Sequence, residues 1–236
     1  MKNLKNWDNN TWLSSVKYTE SIINFLEKKI NFSKEIKILD IGCGRGKIIS
    51  ALSKKYQMNH LPQGIDIVNH KDITKKIKFT KINALKYLDK TNKKFDLILF
   101  KQSIHFFKLK EIKKILKFSK NKLNPKGKII IFTLHSKKNY WPLFKSFKTK
   151  LVESLKKDEK ILDLIKSSCK KYKINYFNFK VRITKDSYIQ MIKNKFTSCL
   201  LNFSSSELKT GIDEIKEKYG KKLSFTDKLI CIIYKK

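Results

Sequence analysis

The segment Ile38–Gly46 reads Ile-Leu-Asp-Ile-Gly-Cys-Gly-Arg-Gly and constrains the fold more than any other part of the chain. An apolar strand runs directly into three glycines at alternate positions. Where a strand turns sharply into a helix, residues without a Cβ let a ligand approach the backbone at low steric cost. The segment therefore predicts a loop that binds a nucleotide-type cofactor.

The spacing of these glycines bears on which cofactor is bound. A dinucleotide-binding loop carries Gly-x-Gly-x-x-Gly, whereas here the third glycine, Gly46, comes one residue early and is followed by Lys47. NAD is therefore a poor fit. The alternative to cofactor binding is a structural glycine turn in an unrelated α/β domain.

A carboxylate follows the glycine loop at an informative distance. Asp66 lies in the short apolar run Gln63–Ile67, twenty residues beyond Gly46, where a second parallel strand delivers an acid to a ribose. A carboxylate can accept hydrogen bonds from both vicinal hydroxyls of the sugar. Asp66 is the candidate ribose ligand, with an ordinary acid at a strand end as the alternative.

The string Asp40–Gly46 closely resembles the first motif of the class I S-adenosylmethionine-dependent methyltransferases. Three further elements follow in the order of that family: the run ending at Asp66, the segment Phe79–Leu85, and the apolar strand that begins at Phe95. The resemblance covers roughly residues 36–135 and implies S-adenosylmethionine as the cofactor. The cofactor contacts that it implies are Asp40, Gly42, Cys43, Gly44, Gly46, Asp66, Ile67, Asn83, Ala84 and Lys101.

Asn83 departs from the family pattern, because an acid is commoner at that position. An amide can both donate to and accept from an adenine edge, so the chemistry is preserved. Asn83 is also suited to cap a helix N-terminus, and both roles are compatible.

The order of elements predicts an α/β fold, a Rossmann-like, doubly wound, seven-stranded and mostly parallel sheet. Strands near 174–183 and 225–234 are expected to form an antiparallel C-terminal hairpin. Residues 1–236 are expected to be a single domain, with an N-terminal helical lid segment at 1–30 and a helical lid insertion at 139–172. The apolar stripe of that insertion is interrupted by charge at 156–160.

Two histidines are candidates for catalysis. His105 follows the strand that in the resembled family faces the transferred methyl, and His135 ends the neighbouring strand. Each is equally suited to orient the acceptor, while His60 and His70 are expected at the surface. The residues expected by position to line a substrate pocket are Gln102, Tyr140, Trp141, Trp12 and Tyr18, with core packing as the alternative for the N-terminal aromatics.

The formal net charge of +35 resembles that of a nucleic-acid-binding protein. Of the 55 basic residues, however, only Arg45 and Arg182 are arginines, whereas a phosphate-binding surface favours arginine. The charge is therefore interpreted as compositional, and nucleic acid is not expected as a specific partner. Such a surface still attracts anionic ligands, so a small-molecule substrate with negative charge is expected.

Cysteine spacing and hydropathy bound the remaining classes. The four cysteines lie far apart with no Cys-x-x-Cys pair, so neither a metal site nor a disulfide framework is expected. No stretch has the length of a membrane span and the first residues lack the apolar core of a secretory signal, which predicts a cytoplasmic protein without membrane contact.

The resemblance implies a methyltransferase that acts on a small molecule, similar to the trans-aconitate and quinone methyltransferases. The segment after the fourth strand contains His-Phe-Phe and lacks the Asn/Asp-Pro-Pro-Tyr/Phe motif used on planar amino groups. The alternatives are an RNA or protein methyltransferase and a non-catalytic subunit that binds the cofactor.

Overall fold

A computed structural model describes residues 10–135, 139–168 and 171–236 of the chain. Its sheet has seven strands in the spatial order β3-β2-β1-β4-β5-β7-β6. The first five strands are mutually parallel, and β7 is antiparallel to both β5 and β6, which confirms the predicted fold class and C-terminal hairpin. The strands are β1 (Ile38–Ile41), β2 (Gln63–Asp66), β3 (Lys78–Lys81), β4 (Phe95–Lys101), β5 (Leu123–Leu134), β6 (Tyr172–Thr184) and β7 (Lys222–Lys235).

A helix follows most of the strands, as in a doubly wound sheet, although β3 follows β2 without one and two helices separate β6 from β7. Their first turns follow from local chemistry: the hydroxyl of Ser204 accepts from the backbone N–H of Glu207, and Glu207 in return accepts from the backbone N–H of Ser204. The helices are α1 (Val16–Glu27), α2 (Lys47–Lys55), α3 (Ala84–Lys90), α4 (Leu109–Asn121), α5 (Lys145–Ser168), α6 (Lys185–Lys193) and α7 (Ser205–Lys218).

Alternate residues of the central strands enter two separate cores. Leu97 and Leu99 of β4 pack on the face covered by α1, whereas Ile98 and Phe100 pack on the face covered by α4. Because successive side chains point to opposite faces, this parity extends to the end of the strand. Lys101, two residues beyond Leu99, therefore lies on the α1 face.

The helical insertion differs from its sequence pattern. The helix itself does not break at 156–160, because α5 is continuous from Lys145 to Ser168. Leu155, Ile161 and Ile165 are all buried, and the charged residue Asp158 is buried with them, whereas Lys156, Lys157 and Lys160 are exposed.

No helix in the described part of the chain is long and apolar enough to cross a membrane.

Candidate cofactor and acceptor site

A cavity of about 530 Å³ opens at the carboxyl ends of β1, β2 and β4. The strand order reverses at β1, because the chain continues to β2 on one side and reaches β4 on the other. Ligands of open α/β sheets bind at such a reversal, since the loops after adjacent strands diverge there. The cavity therefore occupies the position that the fold provides for a ligand.

The glycine loop forms one wall of this cavity. Gly42, Gly44 and Gly46 all have positive φ, at 72°, 54° and 72°. A Cβ on Gly42 would lie 2.4 Å from Cβ of Ser103, and one on Gly46 would lie 2.2 Å from Cδ1 of Ile77, so these two positions need glycine for packing. A Cβ on Gly44 would meet no atom within 4 Å, which leaves the loop open for a ligand at that point.

Asp66 lies at the end of β2 and holds the glycine loop. One carboxylate oxygen accepts from the backbone N–H of Gly44 at 2.9 Å, and the other accepts from the backbone N–H of Val68 at 2.9 Å. Each oxygen can still accept another hydrogen bond, which suits the two vicinal hydroxyls of a ribose. The side chain is thus fixed and retains the capacity that its predicted role requires.

Asp40 lies under the same loop and is buried. Its Oδ1 has no hydrogen-bond partner among the described residues. Burial, and then the nearby charge of Asp66, raise the pKa of Asp40 to about 7 against the opposing charge of Lys101. A buried carboxylate with an unused acceptor favours a bound cationic group, and S-adenosylmethionine carries an ammonium and a sulfonium. The residues present therefore fit this cofactor.

The ends of β2 and β3 form another wall of the cavity, where the sequence predicts that adenine binds. Oδ1 of Asn83 accepts from the backbone N–H of Leu85 at 2.9 Å, so Asn83 caps α3 as the alternative interpretation expected. Asn83, Ile67 and Ala84 also line the cavity. Cys43 lines it as well, and burial raises the pKa of its thiol, which keeps the sulfur protonated and unreactive.

The segment after β4 forms the wall opposite Asp66. Gln102, a predicted pocket residue, lines the cavity and has a positive φ of 53°. The hydroxyl of Ser103 donates to the carbonyl of Ile41 at 2.5 Å and ties this segment to β1. A non-glycine residue in the left-handed region costs about 1 kcal/mol, so this anchored turn is maintained against strain.

Neither candidate catalytic histidine lines the cavity. His105 is partly buried in the turn Ile104–Phe106, with its ring centroid 4.2 Å from that of Phe106. Burial, and then the charge of Lys157, lower the pKa of His105 to about 4, so the imidazole is neutral at pH 7 but a weak proton acceptor. The ring of His135 stacks on Tyr176 with a centroid separation of 5.4 Å. Their catalytic roles stay predictions.

The structure places the predicted pocket aromatics away from the cavity wall. Trp12 and Trp141 are buried and pack edge to face with ring centroids 5.6 Å apart. Tyr18 is buried in the same core, whereas Tyr140 is 77% exposed. From the N-terminal lid segment, it is Leu13 and Thr19 that line the cavity.

Other residues that line the cavity were not predicted from the sequence. His70 was expected at the surface, and this is wrong: it is buried and lines the cavity, while His60 is exposed as expected. Arg45 is also buried, and its guanidinium pairs with Asp72 at 3.2 Å. Both lie in loops without periodicity, so no hydrophobic pattern could reveal their burial. The segment just before α4 contributes Phe106, Phe107 and Lys108 to the cavity wall, and the first turn of α4 contributes Glu111.

The described ranges contain no group of three or more His, Cys, Asp or Glu side chains placed to hold a metal ion.

The cavity at the strand-order reversal, its glycine wall and the fixed Asp66 define a class: the chain is a Rossmann-like protein that binds a nucleoside-derived cofactor. Residues 15–165 match the family model described as "Methyltransferase domain". This match covers more than half of the chain, and the chain therefore belongs to that family, as a class I methyltransferase whose cofactor is S-adenosylmethionine.

Solved structures show the same fold. A putative methyltransferase from an antibiotic biosynthesis pathway of Anabaena variabilis aligns with a TM-score of 0.65 and 13% identity, over 94% of this chain and 98% of that one. A SAM-dependent methyltransferase from Archaeoglobus fulgidus aligns with a TM-score of 0.55 and 18% identity, over 92% and 94%. The plantazolicin methyltransferase BpumL, solved with a desmethylPZN analog and SAH, aligns with a TM-score of 0.55 and 16% identity, over 99% and 89%. Comparison with curated protein sequences gave no match.

Proposed function

We propose that this enzyme transfers the methyl group of S-adenosylmethionine to a small-molecule acceptor. The observation that carries the proposal is the cavity itself. Its volume of about 530 Å³ is within the range of small-molecule sites, and Leu13, Thr19 and Phe106 enclose it from two separate segments. Such a site suits a compact acceptor better than a polymer.

The distribution of lysines supports the same conclusion. A separate groove is lined by five of them, but it lies where β1, β4 and β5 begin, at the opposite edge of the sheet from the cofactor cavity. A polyanion held in that groove would not bring a nucleotide to the methyl group. The five are Lys37, Lys126, Lys128, Lys235 and Lys236.

The residues of the chain serve chiefly to align the reactants. When bound, S-adenosylmethionine supplies an electrophilic methyl group on a sulfonium. Asp66 would hold the ribose hydroxyls, and Asp40 would face the cationic part of the cofactor. The loop at Gly44 would let the cofactor approach the protein backbone closely. Fixing these groups and excluding water lowers the barrier of an in-line displacement without an obligatory base.

The names of two structural neighbours support a metabolite acceptor. One is named as a methyltransferase of an antibiotic biosynthesis pathway and another as a methyltransferase of plantazolicin, crystallised with analogs of its substrate. Both support a metabolite acceptor for this chain, and a trans-aconitate-like or quinone-like acceptor remains part of the proposal.

The test is transfer of labelled methyl from S-adenosylmethionine into an extract of the source cells, separated afterwards into small-molecule, RNA and protein fractions. Physiological salt suppresses adventitious contacts between lysine and phosphate. Label among the small molecules is the expected result. Label in RNA or protein would refute the proposal, and cofactor binding without transfer would indicate a non-catalytic subunit.

Replacing His105 with alanine tests whether the histidine participates. A base or orienting group would give a loss of turnover with unchanged cofactor affinity, and near-normal turnover would remove His105 from the catalytic residues. His135→Ala is the parallel variant at the end of β5.

A further inference from the structure

Three charged side chains occupy one face of the sheet at the edge that carries the cavity. Each charged residue is two positions from a residue of the core under α1. Asp40 is two positions after Ile38, and Lys101 is two positions after Leu99. Asp227 is two positions before Leu229. Because side chains two apart on a strand share a face, the three charges lie on the α1 side. Lys101 is on the strand between the other two.

Asp227 is an unusual residue for this position. It is fully buried, one oxygen accepts from the indole Nε1–H of Trp12 at 3.2 Å, and the other has no hydrogen-bond partner within the described ranges. Burial of an incompletely bonded carboxylate is costly unless a nearby positive charge compensates it. The positive charge of Lys101 lowers the pKa of Asp227, although burial raises that pKa by more.

Tyr18 is close to both the buried carboxylate and the lysine. Nζ of Lys101 is 4.8 Å from the centroid of the Tyr18 ring, a cation–π distance. The Tyr18 hydroxyl is buried beside Asp227, and its pKa is raised first by burial and then by that carboxylate, so it remains a neutral phenol. The ring and the carboxylate therefore restrict where the ammonium can lie.

Lys101 lines the cavity, as Asp40 does, whereas Tyr18 and Asp227 do not. Of the other cavity cations, Arg45 pairs with Asp72, Lys47 donates to the carbonyl of Ser14 at 3.2 Å, and Lys108 is exposed at the N-cap of α4. An ammonium carries three donors, so Lys101 can interact with a carboxylate behind it and with a ligand in front.

We propose that the acceptor carries an acidic group, a carboxylate or a comparable oxyanion, which the Lys101 ammonium binds. Asp227 and Tyr18 are positioning residues that hold this ammonium at the cavity. This inference rests on the proposed function, and it moves Lys101 from the cofactor to the acceptor. The proposed function assigns Asp40 and Asp66 to the cofactor, and Lys101 is the cation of the cavity wall that Tyr18 and Asp227 hold in place.

The first experiment separates the acceptor by charge before any reaction. Small molecules of the source cells are divided at pH 8 on an anion-exchange resin, and each fraction is incubated with the enzyme and S-adenosylmethionine labelled in its methyl group. Acceptance by the retained fraction is expected. Acceptance by the unretained fraction alone overturns the acidic acceptor but leaves the proposed function standing, whereas no acceptance by any fraction refutes both.

Phosphatase treatment of the retained fraction then distinguishes the two sources of an oxyanion. A carboxylate acceptor survives the treatment and a phosphate monoester does not. Either result supports the inference and assigns the acid.

The second experiment uses Lys101→Met with the retained fraction. We expect the acceptor KM to rise at least about 30-fold, as loss of a hydrogen bond to a charged group implies, while the affinity for S-adenosylhomocysteine measured by calorimetry changes less than about 3-fold. Lys101→Arg should restore part of the KM. Lys180→Met removes the same charge from the exposed face of β6 and should leave both quantities unchanged. Loss of cofactor affinity without a selective rise in acceptor KM would overturn the proposal.

The positioning role is tested by coupling. Asp227→Asn should raise the acceptor KM in the native background, but by less than about 2-fold in the Lys101→Met background, because the group it positions is then absent. Thermal unfolding confirms that each variant is folded. Equal effects in both backgrounds would show that Asp227 is structural only.

Discussion

The indole Nε1 of Trp12 lies 3.2 Å from Oδ2 of Asp227, a hydrogen bond between residues 215 positions apart. It joins the segment before α1 to β7, and both partners are buried. Among the described side chains, Trp12 is the one that donates a hydrogen bond of ordinary geometry to Asp227. The contact thus links the N-terminal segment to the charged cluster beside the cavity.

Trp12→Phe is expected to destabilise the protein, because phenylalanine cannot donate to Asp227. The matched control is Trp141→Phe, since the indole nitrogen of Trp141 is buried without a hydrogen-bond partner in the described structure. Both variants remove the same atoms from one aromatic core, so their difference isolates the hydrogen bond. We expect Trp12→Phe to lose about 1–3 kcal/mol more in urea unfolding than Trp141→Phe. Equal losses would contradict the assignment.

Two glycine variants should separate folding from cofactor binding. Gly42→Ala places a methyl 2.4 Å from Cβ of Ser103, whereas Gly44→Ala places it in open space within the cavity wall. Both share the cost of a positive φ, about 1–2 kcal/mol. We expect Gly42→Ala to show the larger loss of thermal stability. Gly44→Ala should instead lose affinity for S-adenosylhomocysteine by calorimetry, and the reverse order would refute the loop assignment.

Asp66→Ala should weaken cofactor binding severely while leaving the fold intact. The carboxylate fixes the glycine loop through Gly44 and is the proposed ribose ligand. Loss of two hydrogen bonds to a charged group predicts an affinity at least about 100-fold lower in calorimetry. Asp89→Ala, which removes an exposed acid from α3, provides the control. Unchanged affinity for Asp66→Ala would exclude the ribose role.

The raised pKa of Asp40 predicts a pH dependence of stability. The folded pKa is about 7 and the unfolded reference is 3.8, so between these values the folded state binds the proton and the unfolded state does not. The contribution of Asp40 to the free energy of unfolding is therefore fully present below pH 4. It falls as pH rises toward 7, by about 1.4 kcal/mol per pH unit at most. Asp40→Asn removes this loss, because the amide does not ionise.

Urea unfolding from pH 4 to pH 8 measures the effect. The stability of Asp40→Asn relative to the native protein should increase up to about pH 7 and then level off. The groups whose charges act on Asp40 are Asp66 and Lys101, and both are retained in the variant, so the difference reports Asp40. A constant difference across the range would show that the carboxyl is not perturbed.

The sheet and the cofactor half of the cavity were predictable because local pattern determines them. The strand–glycine–helix transition at Ile38–Gly46, the carboxylate at the end of β2 and the apolar run of β4 each carry a signal within a few residues. The cap on α3 at Asn83 and the capping box at Ser204 are equally local. Their chemistry is fixed before distant segments pack.

The proposed acceptor site was not predictable in the same way, because residues far apart in the chain build it. No local pattern pairs Asp227 with Trp12, and a single aspartate within the apolar β7 offers only a hint that a buried charge needs a partner. His105 has the correct place in the chain, yet the turn Ile104–Phe106 presents Phe106 and Phe107 to the cavity instead. Side-chain direction in a short turn depends on packing, which a sequence motif does not specify.

The position of β7 has a consequence for how the chain folds. β7 follows every other strand in the sequence, yet it lies between β5 and β6 and is hydrogen-bonded to both. While the protein is being translated, β6 has no partner until β7 has left the ribosome, and its polar backbone edge is exposed for that time. The cofactor half forms from segments made early, so binding of S-adenosylmethionine cannot by itself protect the unfinished edge. The positive charges of Lys173, Lys180 and Arg182 on β6 would keep such nascent chains apart by repulsion.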